Sequence, residues 1–260
     1  MTDDAAHPWL RVAQEGPVLT VTLANAAERN AQVPSLWTAL ARVGESVSAD
    51  VRVVVLRGEG ASFSAGLHRR MLAPGGLPHE PDLLRLAAES ADLDASIAGF
   101  QRGFTVWRDL RAVVVAVVQG HAIGAGFQLA LAADLRLLAD DAQLAMRETS
   151  LGLVPDLGGT GPLVGLVGYA RALEICATGR FVGAREAVHI GLASAAVPAA
   201  ELDQAAEDLV AALLAAPANA LSELKPLLRS AVGASAADQL AAERAAQSRL
   251  LGALARGAGS

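Results

Sequence analysis

The sequence predicts a layered α/β fold. Two continuous β-branched runs, "VRVVVLRG" (51–58) and "AVVVAVVQG" (112–120), have strand length and strand composition. Helix-spaced apolar segments lie between them, and beyond residue 200 only helical signals remain. An uninterrupted apolar strand is one covered on both faces, and strands alternating with helices build sheet-and-helix layers.

The elements follow in order. "GPVLTVTLAN" (16–25) alternates Val18, Thr20 and Thr22 against Leu19, Val21 and Leu23 and reads as a strand, with Asn25 opening a loop. Ser35 is a candidate cap for a helix whose apolar positions are Leu36, Leu40 and Val43. After the 51–58 strand, "EGASFSAG" is a loop. The Pro- and Gly-rich stretch from Pro74 to Pro81 is expected to be a mobile loop. "DLLRLAAESADLDASIAGFQRGFTVWRDLR" reads as one long helix, or two broken near Gly99. The 112–120 strand leads into a buried helix starting at Phe127. "DLRLLADDAQLAMRE" holds two short strands around "ADDA", which puts Glu148 at a strand end. "GLVPDLGGTGP" is a Gly-rich loop before a helix that holds Tyr169 to Thr178. Residues 201–260 form Ala-rich amphipathic helices of the kind that seek a partner subunit.

Composition bounds the function. The 260 residues are 53% hydrophobic and 18% charged, enough for a large core and unlike a disordered chain. A net charge of -6 argues against nucleic acid as the main partner, though a few local arginines could still hold a small anion. One cysteine, Cys176, excludes an internal disulfide and argues against a cysteine-based zinc site. His7, His79, His121 and His189 show no metal-ligand spacing, so no metal is expected. The start "MTDDAAHPWL" lacks a signal-peptide core, and the apolar run around residues 110–135 is broken by Gln119, His121 and Gln128. No membrane span and a cytoplasmic location are therefore expected.

Three constellations carry chemistry. Gly124, Ala125 and Gly126 sit where a strand turns into a helix; side-chain-free residues there let an oxygen approach unsatisfied N–H groups. A tight packing turn is the plainer alternative. "SFSAGLHRR" is a second small-residue loop after the other buried strand. Its "GASFS" is a near miss for a nucleophile elbow, since Ser64 stands where glycine is required, so a Ser-His-Asp hydrolase is rejected. Finally, Glu148 and Asp156, eight residues apart in "ETSLGLVPDLGG", could carry protons if burial raises their pKa.

Together these motifs resemble the crotonase superfamily, the enoyl-CoA hydratase/isomerase family. The resemblance runs through "AERNA", "GASFSAG", "GHAIGAGFQLALAADLRL", "ETSLGLVPDLGGTGPL" and "GLASAAVP". It implies a spiral of ββα units, with residues 1–200 as an acyl-CoA-binding core and residues 201–260 as a helical trimerisation region. The implied assembly is a homotrimer or a dimer of trimers. The implied ligand is an acyl-CoA thioester, with coenzyme A part of the substrate and no separate cofactor. Its carbonyl oxygen would lie between the backbone N–H groups of Leu67 and Ala125. Ala65, Gly66 and His68 would line the CoA path beside Gly126, and Arg29 would meet a CoA phosphate.

The chain departs from the family pattern at Gln128. Hydratases that resemble it carry glutamates at the positions of both Gln128 and Glu148, sharing a water. An amide hydrogen-bonds a water but does not take its proton. Isomerisation needs only one carboxylate, so Glu148 is expected to shuttle a proton between C2 and C4, with Asp156 a second acid or a tuner. The alternatives are hydration with Gln128 positioning water, and a non-catalytic acyl-CoA-binding protein.

Overall fold

The computed structural model describes residues 7–257. The expectations for residues 1–6 and 258–260 lie outside the described residues. A six-stranded sheet has the spatial order β1 (Leu10–Glu15), β2 (Val18–Leu23), β3 (Val53–Gly58), β4 (Val113–Val118), β6 (Leu135–Ala139), β9 (Ala195–Val197). All neighbours in it pair in parallel except the β1–β2 hairpin. A smaller sheet joins β5 (His121–Ile123), β7 (Gln143–Ala145) and β8 (Val182–Gly183).

The two sheets are the two layers of a spiral. The later turns lay one strand in the large sheet, then a short one in the small layer, then a helix. Thus β4 and β5 lead to α4 (Ala125–Ala132), and β6 and β7 lead to α5 (Thr160–Val167). Earlier turns contribute only single bridges to the small layer, Gln32 with Leu67 and Ser64 with Ala122. The expected spiral of ββα units is what forms.

Both faces of the central strands are covered, which is why their sequences do not alternate. Val54, Leu56, Val114, Ala116 and Val118 face the main core, with Leu36, Leu40 and Val43 of α1 (Pro34–Glu45) and Phe104 and Trp107 of α3 (Leu93–Asp109). The alternate residues Val53, Val55, Val113, Val115 and Val117 pack against Leu202 and Ala206 of α8 (Leu202–Ala215). Then α9 (Ala218–Ser230) and α10 (Ala236–Gly257) follow and pack on each other. Lys225 ties α9 back: its Nζ lies 2.7 Å from Asp134 and donates to the Ala112 carbonyl at 2.8 Å. No described helix is long and apolar enough to cross a membrane.

Four local expectations are corrected. Ser35 does not cap α1. Pro34 takes the first helical position after Val33, and the Ser35 hydroxyl donates to Glu80 instead. Glu80 thereby anchors the Pro74–Pro81 loop to α1. The 82–111 segment breaks at residues 90–92, not near Gly99: α2 (Leu83–Glu89) ends there and Asp92 caps α3 by accepting from the Ala95 N–H. Two helices rather than one follow the Gly-rich loop, α5 and α6 (Tyr169–Thr178), parted by Gly168. Glu148 lies past the strand end, opening a 3-10 turn over Glu148–Leu151.

Candidate active site

The helix α4 starts at Ala125, two residues earlier than expected, because Gly124 adopts φ +53° and turns the chain out of β5. Its first N–H groups have no partner one turn earlier. The Gly66 loop comes to the same place. Gly66 has φ +81°, and a Cβ on it would lie 2.2 Å from the Ile123 carbonyl oxygen and 3.3 Å from the Ala125 nitrogen. The structure thus brings the Leu67 and Ala125 segments into direct contact. Neither N–H donates to a protein acceptor among the described residues.

Glu148 closes the same space. A Cβ on Gly124 would meet its Oε1 at 3.4 Å and its carboxyl carbon at 3.6 Å. The two carboxylate oxygens differ. Oε1 accepts from Gln128 Nε2 at 2.8 Å. Oε2 is buried and has no partner. Burial raises the Glu148 pKa, the charge of Asp156 adds to the rise, and the bond from Gln128 opposes it.

Gln128 is 1% exposed, and its orientation is fixed from behind. Its Oε1 accepts from the Leu157 N–H at 2.9 Å and from the Gly159 N–H at 3.3 Å. A flipped amide would set its NH2 against two donors and its oxygen against a carboxylate, so the chemistry permits one orientation. These two backbone donors were missed from sequence. The signal was the Gly158–Gly159 pair; the side chain that Leu157 and Gly159 meet lies 29 and 31 residues away.

The other expected residues scatter around this centre. Asp156 is exposed, yet crowding around its carboxylate raises its pKa, and its charge reaches Glu148. The Ala65 N–H donates to the Arg29 carbonyl at 2.8 Å, so exposed Arg29 stands beside the loop. His68 is half-buried, and its Nδ1 accepts from the Arg70 N–H at 3.3 Å, capping a 3-10 turn. Gly126 is buried against Ser64, where a Cβ would lie 2.6 Å from the Ser64 carbonyl oxygen. Cys176 is half-buried, its thiol pKa raised by burial and then by the Glu148 charge. Among the described residues no group of three or more His, Cys, Asp or Glu could hold a metal ion.

A half-buried carboxylate with one buried, unpartnered oxygen, beside the Gly124–Ala125 turn, can move a proton next to an oxygen that gains charge. Comparison with known proteins shows the family. The model of the family "Enoyl-CoA hydratase/isomerase" matches residues 13–257. Carnitinyl-CoA dehydratase of Salmonella typhi is 34% identical over 226 residues, covering 85% of this chain and 80% of that protein. A candidate enoyl-CoA hydratase from Thermobifida fusca YX, solved with CoA, superposes with a TM-score of 0.90 at 46% identity, covering 97% of this chain and 96% of that one. The same protein with acetoacetyl-CoA gives 0.89 at 47% identity, covering 96% of each chain. The chain belongs to the enoyl-CoA hydratase/isomerase family of the crotonase superfamily.

Proposed function

We propose that this chain is an acyl-CoA thioester enzyme that shifts a carbon–carbon double bond, with Glu148 as its single proton carrier. One observation carries the reading: Oε1 of Glu148 is held by Gln128 while Oε2 is buried, unpartnered and beside the Gly124–Ala125 turn. The CoA and acetoacetyl-CoA complexes of the Thermobifida protein support a CoA thioester as substrate. The Leu67 and Ala125 N–H groups then hold the thioester oxygen, Ala65, Gly66, Gly126 and His68 line the path, and Arg29 faces a phosphate. No cofactor beyond the substrate's own CoA is invoked.

In a 3-enoyl thioester, Glu148 Oε2 takes a proton from C2. The C–H electron pair moves into a dienolate whose negative charge rests on the thioester oxygen, between the two amides. The carboxylic acid so formed returns the proton to C4, and the double bond ends at C2–C3. The proton count closes and no second acid is needed. Burial suits Glu148 to taking the proton, since a raised pKa makes its carboxylate the stronger base, and the more basic dienolate carbon takes it back. The Asp156 charge serves as tuner.

The names of relatives favour a second reading, reversible hydration. Gln128 fits it less well. Its carbonyl already accepts two bonds, which leaves one N–H to orient a water, and Glu148 alone must handle the protons. Exposed Leu224, Leu228, Leu251 and Leu254 on α9 and α10 support assembly as a homotrimer or dimer of trimers. A cytoplasmic site of action belongs to the same proposal.

The test incubates the protein with 3-enoyl- and 2-enoyl-CoA panels. Faster conversion of 3-enoyl to 2-enoyl thioester than of 2-enoyl to 3-hydroxyacyl thioester supports isomerisation. The reverse ranking supports hydration, and tight binding with neither product would leave only a binding protein.

A further inference from the structure

Two buried polar side chains take no part in this proton transfer. Gln32 and Ser64 are both 0% exposed. The Ser64 hydroxyl donates to the Asn30 carbonyl at 2.7 Å. It accepts from Gln32 Nε2 at 3.0 Å and from the Gly66 N–H at 3.1 Å. Gln32 Oε1 in turn accepts from Trp37 Nε1 at 2.8 Å, so every bond in the chain has a fixed direction.

The main chains of the same two residues grip the two amide-bearing segments. Gln32 brackets Leu67: its N–H donates to the Gly66 carbonyl at 2.7 Å, and its carbonyl accepts from the His68 N–H at 2.8 Å. A parallel bridge of this kind leaves the central residue's own N–H on the far side, away from Gln32. Ser64 holds the other segment. Its N–H donates to the His121 carbonyl at 2.9 Å, and its carbonyl accepts from the Ile123 N–H at 3.0 Å, just before the Gly124–Ala125 turn. Gly126 packs directly on it.

A buried polar network with every partner supplied fixes geometry more sharply than apolar packing, because each bond has both a length and a direction. Apolar residues would fill this space without setting the angle of the Gly66–Leu67 peptide. We infer that the Gln32–Ser64 pair is a positioning device that sets the spacing between the Leu67 and Ala125 N–H groups, so that both reach one thioester oxygen. It rests on the reading of those amides as the oxygen-binding pair.

Ser64→Ala removes the atom where three of these bonds meet and adds no volume. Gln32→Met keeps the side-chain length, removes both amide bonds and leaves the main-chain bracket around Leu67. The probe is carbonyl-labelled hexanoyl-CoA, saturated and so without a double bond to move, read by infrared difference spectroscopy. In the wild type the bound carbonyl band moves below its position in water. Each variant should lose part of that displacement. Its kcat should fall about 10–100-fold with KM little changed, as expected when a donor is displaced rather than deleted. The acid limb of the pH profile should stay in place, since Glu148 and its partners are untouched. A folded variant that keeps the full displacement and the full kcat overturns the inference. If Ser64→Ala does not fold, Gln32→Met decides alone. A wild type with no displacement at all sinks the paired-amide reading itself, and the positioning role with it.

Discussion

Gly66→Ala tests the paired-amide geometry with a single methyl group. The added Cβ would lie 2.2 Å from the Ile123 carbonyl oxygen, whereas ordinary contact begins near 3.4 Å. The Gly66 and Gly124 segments must therefore separate by roughly 1 Å. A misplacement of that size costs about 10²-fold in rate, below the ~3–4 kcal/mol lost when a donor is removed outright. The left-handed backbone at φ +81° adds about 1–2 kcal/mol of strain to the folded state. Steady-state kinetics on a 3-enoyl-CoA should show kcat down about 10²-fold. Thermal unfolding should show a lower Tm. A folded Gly66→Ala protein with wild-type kcat would refute the claim that this contact sets the geometry of the reaction.

Other outcomes follow from the same coordinates. Glu148→Gln should raise Tm at neutral pH. The folded-state pKa of Glu148 lies above its unfolded value, so ionisation costs stability as pH rises through that window; the gain should vanish once pH falls below both values. A Tm difference that grows at low pH would reverse the sign and contradict the burial argument. Gln128→Glu places a second carboxylate 2.8 Å from Glu148 Oε1, so the pair shares a proton and the acid limb of turnover moves to higher pH. A pH–rate profile superimposable on the wild type would count against Gln128 as the partner of Glu148. Lys225→Met leaves the Asp134 carboxylate with the Val114 N–H but without its cation and should cost about 2 kcal/mol in urea unfolding, while activity per folded molecule stays intact. An unchanged unfolding midpoint would mean that the ion pair does not anchor α9.

What could be read from the sequence was whatever local pattern decides. The β3 and β4 runs were legible because both of their faces are covered, which removes every polar position from Val113 to Val118. The turn at Gly124–Gly126 and the place of Glu148 were legible for related reasons: small residues mark a turn, and the acid ends the alternating run "AQLAMR". The edge strand β1 escaped notice because most of "LRVAQE" faces solvent. The three residues of β5 and the two of β8 are too short to show any period. The Ser35 cap failed because a distant acid, Glu80, took the hydroxyl. Nothing near Gln128 in sequence reveals that amides at Leu157 and Gly159 hold its carbonyl, nor that Gln32 reaches Ser64 across 32 residues. Those bonds are made by the turns of the spiral stacking, and stacking has no local signature.

The most direct measurement is deuterium uptake at C2 of an acyl-CoA in heavy water, followed by mass spectrometry for the wild type and for Glu148→Gln. The account predicts uptake by the wild type and a drop of about 10²–10⁴-fold in the variant at similar ligand affinity. No uptake by the wild type, or undiminished uptake by Glu148→Gln, would contradict it.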